Sequence, residues 1–376
     1  MKSKQAFTRG KLETILQVED IQSLTVSEVT ALFDGEDEIK KFAPDGVCQV
    51  DPRNGDRVVF NSARARRPHD NRPGESIPAN QPEEKECAIC QGRTTSVVDV
   101  ADLSEGFTFI NKNLFPILYP AKDGDQIVQD NGDIPANSRG LGTHGMHFLQ
   151  WTSSLHDRDW QNMSIDDLVV VLERLAALES RLLESLGGYF SVIKNYGRLV
   201  GGSLVHGHQQ ICCSNLMPRR VRNNRDFGTR RGETFSSYLL QENPVELTVR
   251  DYGEAILLVP YFMRRPYDTF LILKETGVQH LHALSPTERR AVARGWQDAI
   301  RLMLVTMPQI GRETAYNVTL NNGPGAGIYF EFLPYTQEMG GFEHLGLYLC
   351  QGNPFSVAEQ AREILNQDLD AVFMGP

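Results

Sequence analysis

The chain has 376 residues, a formal net charge of −10, 40% hydrophobic residues and 23% charged residues. That is room for one large or two medium cores, with the composition of an ordinary soluble protein. The acid excess excludes the basic footprint of a general nucleic-acid binder, and no apolar run reaches the roughly 20 residues that cross a bilayer.

The first residues, MKSKQAFTRG, are basic but no apolar stretch follows, so no secretory signal is expected. Cys48, Cys87, Cys90, Cys212, Cys213 and Cys350 are sparse and lack a disulfide-framework spacing, which implies a reducing, cytoplasmic setting. Residues 1–45, with LTVSEVTALFDGEDEIKKF, read as a charged, mostly helical lead-in. QVDPRNGDRVVF reads as strand, tight turn, strand, with Asn54-Gly55 as the hairpin signal. NSARARRPHDNRPG is a basic loop. ECAIC follows a polar, proline-containing stretch; its CxxC spacing suits a metal or a redox pair, and the loop context favours metal. GFTFINKNLFPILYP is apolar with turn punctuation, and residues 122–143 read as an exposed loop.

From here the pattern becomes regular. HGMHFLQW (144–151) alternates as a strand, and residues 164–186 form a long amphipathic helix with Ser164 as N-cap and Gly187-Gly188 at its end. YFSVIKN (189–195) is a strand, KNYGRLVGG a glycine-rich turn, and LVHGHQQICC a further strand. The second half repeats this order. DTFLILK is a strand, residues 285–307 a helix with Pro286 at its first position, AYNVTLNN a strand, GPGAG the turn and IYFEFLP the last strand. The repetition predicts an α+β protein built by internal duplication.

The chemistry concentrates in the last strand of the first copy. On a strand, His206, His208 and Gln210 point to one face. A lone histidine is usually a satisfied core or surface residue. Two on one face beside a glycine-rich turn point to metal ligation or nucleophilic catalysis, which a neutral imidazole serves near pH 7. In the second copy the matching strand carries Tyr329 and Glu331.

GGSLVHGHQQI resembles the HxHxQ strand of the galactose-1-phosphate uridylyltransferase family, the transferase branch of the histidine-triad superfamily. In family order, VDPRNGDRVVFNSARARRP, ECAIC, SSLHDRDWQNMS, KNYGRLVGGS and GGFEHLGLYL are similar to further family segments. They occur from about residue 49 to 365, so the resemblance covers most of the chain. The resemblance implies two fused histidine-triad-like units, with antiparallel sheets and helices packed on them. The expected division is a lead-in at 1–45, a first unit with the catalytic strand at 46–215, and a second, degenerate unit at 216–376.

The resemblance also implies roles. Cys87, Cys90, His156 and His206 would hold a structural zinc, a Cys2His2 set that closes a tetrahedral site. His208 would attack the α-phosphorus of a nucleotide and carry it as a covalent nucleotidyl-histidine, giving ping-pong kinetics. Gln210 would donate to a non-bridging phosphoryl oxygen, and Ser203, Gly201 and Gly202 would contact the phosphates. Arg64 and Arg67 would hold the distal phosphate. Asn111, Asn113 and Asn195 would bind the nucleoside and its phosphates, and Glu343 the sugar hydroxyls. Hydrolytic histidine-triad proteins carry a third histidine where this chain has Gln210. Glutamine cannot protonate a leaving group, which favours phosphate leaving groups and anionic acceptors.

The expected function is therefore nucleotidyl transfer between a nucleotide sugar and a sugar phosphate. The alternatives are a phosphorylase that cleaves nucleotide sugars or dinucleoside polyphosphates with inorganic phosphate, and a non-catalytic nucleotide sensor. The resemblance suggests a homodimer, with neither nucleic acid nor membrane as partner. Two departures stand out: Gly207 replaces the usual proline between the histidines, and IYFEF replaces the HxH strand of a second metal site that some members have. MPRRVRNNRDFGTRRGE (217–233), with six arginines, reads as a mobile cover over anionic substrate or as a solvated loop.

Overall fold

Lead-in residues with good caps form short helices. In the computed structural model, which describes residues 6–43, 47–50, 57–59, 87–121, 128–133 and 141–374, they are α1 (Arg9–Ile15), α2 (Val26–Asp34) and α3 (Asp37–Lys40). Thr25 and Glu28 make a reciprocal capping box on α2. The lead-in is pinned by charge as well as by Phe7 and Leu12. Lys112, fully buried, meets Glu36 at 2.9 Å and donates to Gln17 Oε1 and to the Leu32 carbonyl. Arg174 bridges Asp99 and Asp20.

Short β1 (Val47–Val50) pairs antiparallel with β2 (Arg57–Val59) and with β5 (Leu141–Gly142). The hairpin's Asn54-Gly55 turn lies outside the described residues. The remaining strands are β3 (Val97–Asp102), β4 (Phe107–Lys112), β6 (Gly145–Trp151), β7 (Tyr189–Tyr196), β8 (His208–Ser214), β9 (Thr248–Asp251), β10 (Ala255–Leu258), β11 (Thr269–Leu273), β12 (Tyr316–Asn321) and β13 (Tyr329–Pro334). They form a sheet in the order β3-β4-β6-β8-β7-β12-β13-β11-β10-β9. That order is symmetric. β3-β4-β6-β8-β7 from one end matches β9-β10-β11-β13-β12 from the other, as a duplicated α+β unit requires.

The long helices are α4 (Ile165–Leu186) and α7 (Pro286–Gln309). Ser164 Oγ accepts from Asp167 N at 3.1 Å, and Ser285 and Glu288 make a second capping box ahead of Pro286. Both bury an apolar stripe: Leu168, Val171, Leu175, Leu178 and Leu182 on α4, Val292, Trp296, Ile300 and Met303 on α7. The other helices are α5 (Arg219–Arg231), α6 (Phe235–Glu242), α8 (Gly341–His344), α9 (Pro354–Leu365) and α10 (Leu369–Phe373). No helix among the described residues is long and apolar enough to cross a membrane.

Two expectations are corrected here. The arginine-rich 217–233 segment is a helix, not a loop. α5 packs so closely on the second glycine-rich turn that a Cβ at Gly325 would lie 2.2 Å from the Asn224 carbonyl oxygen, at a backbone φ of +78°. Buried Asn224 also accepts from the Tyr329 hydroxyl at 2.9 Å. The strand expected from Leu204 begins at His208.

The contacts divide the chain into two compact units. One comprises Met1–Asp159, Arg174–Val192 and Ser203–Arg222; the other comprises Trp160–Glu173, Ile193–Gly202 and Asn223–Pro376. We propose residue 215/216 as the repeat boundary in sequence, since β8 closes the first run of five strands and β9 opens the second.

Candidate metal centre and nucleophile strand

Cys87 and Cys90 lie on a tight turn before β3, closed by Gln91 N to Cys87 O and Gly92 N to Ile89 O bonds. His156 lies in the segment after β6, and His206 in the bend before β8. Three separate stretches thus converge. Cys87 Sγ is 3.7 Å and Cys90 Sγ 3.6 Å from His206 Nδ1, and Cys90 Sγ is 3.6 Å from His156 Nδ1. All four ligand atoms lie within 4.8 Å of one another. A tetrahedron with bonds of about 2.3 Å to sulfur and about 2.0–2.1 Å to nitrogen has a sulfur–nitrogen edge of about 3.6 Å. The donor set fits a metal ion of that kind.

The surroundings orient the ligands. His206 Nε2 bonds to the Ser153 carbonyl at 2.8 Å, which turns Nδ1 toward the sulfurs. The Cys87 thiol is driven well below its ordinary range, first by the hydrogen bond from Cys90, while the same bond and burial push Cys90 up.

These contacts correct the picture of one strand face. His206 is not on the ladder, because its ring is drawn to Ser153 and the cysteines and the Gly207 carbonyl accepts from Thr152 N at 3.0 Å. His208 opens β8 opposite Trp151. His208 Nδ1 bonds to the His206 carbonyl at 2.8 Å, so Nδ1 carries the proton and Nε2 the lone pair. The Trp151 ring lies 4.9 Å from the His208 ring and, edge-on, 5.4 Å from His206. Gln210 is the next residue of β8 on the His208 face and is half-buried.

The remaining site residues fare differently. Ser203 is half-buried and follows the Arg198–Val200 turn, where Gly202 N bonds to Gly197 O at 2.9 Å and Gly201 has a φ of +85°. Asn195 on β7 accepts from Asn317 Nδ2 at 2.8 Å. Asn111 is a strut of β4: its carbonyl accepts from Trp151 Nε1 at 2.7 Å, and its amide donates to Thr94, Thr95 and the Lys112 carbonyl. Asn113 is buried against His147 and accepts from Phe115 N. Glu343 takes Gly340 N and Leu349 N on its two oxygens, bonds that hold its carboxyl below the usual range and fold the 340–349 segment. Arg64 and Arg67 lie outside the described residues.

No family model matches the chain. It is 24% identical over 348 residues to an ADP-glucose phosphorylase of Arabidopsis thaliana, covering 87% of this chain and 95% of the relative. A galactose-1-phosphate uridylyltransferase of Rattus norvegicus is 28% identical over 218 residues, 54% of each chain. The chain is thus similar in sequence to members of the galactose-1-phosphate uridylyltransferase family. Its fold agrees. A solved uridylyltransferase superposes with a TM-score of 0.64 at 18% identity, covering 85% of this chain and 98% of that one. A solved Arabidopsis thaliana ADP-glucose phosphorylase with bound ADP-glucose gives 0.59 at 18% identity, covering 84% and 98%.

Sequence reasoning did not single out Trp151, whose ring packs on both His206 and His208. A tryptophan closing a strand five residues before His156 was a readable signal for it.

Proposed function

We propose that the chain transfers a nucleoside monophosphate from a nucleotide sugar to an anionic phosphate acceptor through a covalent bond to His208 Nε2. The observation that supports this most is the His208 Nδ1 to His206 carbonyl bond. It presents the lone pair of Nε2 for attack and directs the N–H of Nδ1 to a carbonyl that favours the positive charge developing on the ring. Nε2 attacks the α-phosphorus, the bond to the bridging oxygen breaks, and the sugar phosphate leaves as an anion that needs no proton. An oxygen of the acceptor phosphate then attacks the same phosphorus and expels Nε2. The Gln210 amide would donate to a non-bridging oxygen in both steps, with Ser203 and the Gly201 and Gly202 N–H groups on the phosphates and Asn195 beside them. Arg64, Arg67, Asn113 and Glu343 complete the substrate contacts in this reading.

We assign zinc to Cys87, Cys90, His156 and His206. With four protein ligands it would supply a fixed tetrahedral knot and no open position. The reading includes a reducing compartment, for which free Cys87 and Cys90 are suited, and a homodimer.

Two acceptors are in play. The near full-length likeness to an ADP-glucose phosphorylase supports inorganic phosphate, with adenosine as the nucleoside. The uridylyltransferase relatives support a sugar 1-phosphate. Intact-mass spectrometry after exposure to ADP-glucose or UDP-glucose identifies the carried nucleotide. Discharge by inorganic phosphate or by galactose 1-phosphate identifies the acceptor. An adduct that still forms in His208→Ala would refute the nucleophile.

A further inference from the structure

The peptide between His206 and His208 does two jobs at once. Its carbonyl, from His206, fixes the tautomer of the nucleophile, and its chain neighbour is the metal-side imidazole. What steadies this peptide is Gly207's environment. A Cβ at Gly207 would lie 2.5 Å from Asp159 Cγ and 2.8 Å from both Cβ and Oδ1 of Asp159. Gly207 is therefore glycine because the Asp159 side chain fills the space beside its backbone.

Asp159 is only 5% exposed and sits on the same short segment as His156. Its Oδ1 accepts from the Thr152 hydroxyl at 2.9 Å, and Thr152 N donates to the Gly207 carbonyl at 3.0 Å. Thr152 is in turn 3.5 Å from Gln209, and Gln209 donates to Gln150 at 2.8 Å. Thr152, Gln209 and Gln150 are fully buried. A closed loop of contacts thus runs Asp159–Thr152–Gly207 and back to Asp159, beside the nucleophile.

We infer that Asp159 is a positioning residue for the transfer reaction: wedged against Gly207, it locks the His206–Gly207 peptide and through it the ring of His208. The inference rests on His208 being the nucleophile. A glycine with an empty space beside it would sample many backbone conformations. The His206 carbonyl would then wander from Nδ1, and displacements near 1 Å at a reacting atom cost about 10²-fold in rate.

The test follows adduct formation in single turnovers with ADP-glucose and UDP-glucose. Asp159→Ala is expected to slow it about 10- to 100-fold, with KM within about twofold and metal content unchanged. Asp159→Asn, which keeps the shape, is expected to stay within about threefold of the parent. Gly207→Ala is expected to fail by collision with Asp159, and Gly207→Ala with Asp159→Gly to regain at least about tenfold over it. Nitrogen-15 spectra of the His208 ring provide a readout apart from activity: the protonated Nδ1 signal of the parent broadens or is lost in Asp159→Ala and persists in Asp159→Asn. Parent-rate adduct formation and an unchanged ring spectrum in Asp159→Ala would overturn the inference, as would loss of metal as the sole defect or absence of rescue in the double variant. Failure of the parent enzyme to label His208 at all would instead defeat the proposed reaction, while the ring spectra would still judge the wedge.

Discussion

The most exposed consequence of a single residue's surroundings lies away from the metal. Asp268 is buried, its Oδ1 lacks a hydrogen bond, and its Oδ2 accepts from Arg265 N at 3.2 Å. Burial pushes its carboxyl up to about 7, with Arg265 pulling it down and Glu331 pushing it further up. A folded value above the unfolded one means that the native state binds the extra proton. The stability this gives is complete below about pH 4 and is lost as pH rises through about 7. Asp268→Asn should flatten that slope, so that the variant gains on the parent in unfolding free energy from about pH 5 to pH 8, by an amount on the order of a few kcal/mol at the top of the range, read as a rising gap between their melting temperatures. A parallel pair of melting curves would show that the carboxyl does not titrate there. At this scale the sequence was most legible where chemistry is local. The CxxC pair and the HxHxQ triplet announce themselves by spacing. Asp159 did not, because its partner Gly207 is adjacent only after folding, and the bonds of Glu343 to Gly340 N and Leu349 N in its own loop carry no sequence signal.

Elements were legible in proportion to how strongly one face is apolar. α4 and α7 carry stripes and capping residues and fell within a residue or two of expectation. β3 and β9 went unread because VVDVAD and TVRD are short and interrupted by charge. α5 was misread for a related reason: with Asn224 as its buried residue and arginines around it, the helix has no apolar stripe to betray it. Its fit to the second glycine-rich turn is steric. Gly325→Ala should cost more than about 2 kcal/mol, from the collision with the Asn224 carbonyl added to an unfavourable φ; equal denaturation midpoints would contradict that fit. The lead-in offers a sharper case. Lys112 is the buried cation that binds Glu36, Gln17 and the Leu32 carbonyl, so Lys112→Ala strands several polar groups at once. It should lose about 3 kcal/mol and make α2 and α3 the first site of limited proteolysis. Cleavage elsewhere, at the parent's rate, would argue against this tether.

For the whole molecule, the duplication was legible as a repeated order of elements along the chain, whereas the strand order in the sheet and the interleaved units were not, since strand β7 and helix α4 each serve both units and no composition shift marks the change. The four candidate metal ligands all belong to the unit containing Met1–Asp159. Chelation should therefore raise hydrogen exchange in the turn at residues 87–93 and the segment at residues 153–159, while amides of β10 and β11 keep their protection; uniform loss across both units would contradict a local knot.

Trp151, described above as a neighbour of His208, has one further consequence. The chain has three tryptophans, and the other two, Trp160 and Trp296, lie flat on each other at 4.1 Å. Trp151 alone has an imidazole ring at 4.9 Å that the proposed reaction would charge. A cationic ring beside an indole both attracts its π-face and dims its emission. The protein should then carry its own optical reporter: fluorescence falling as the nucleotide is loaded and recovering when the acceptor takes it, with no label attached.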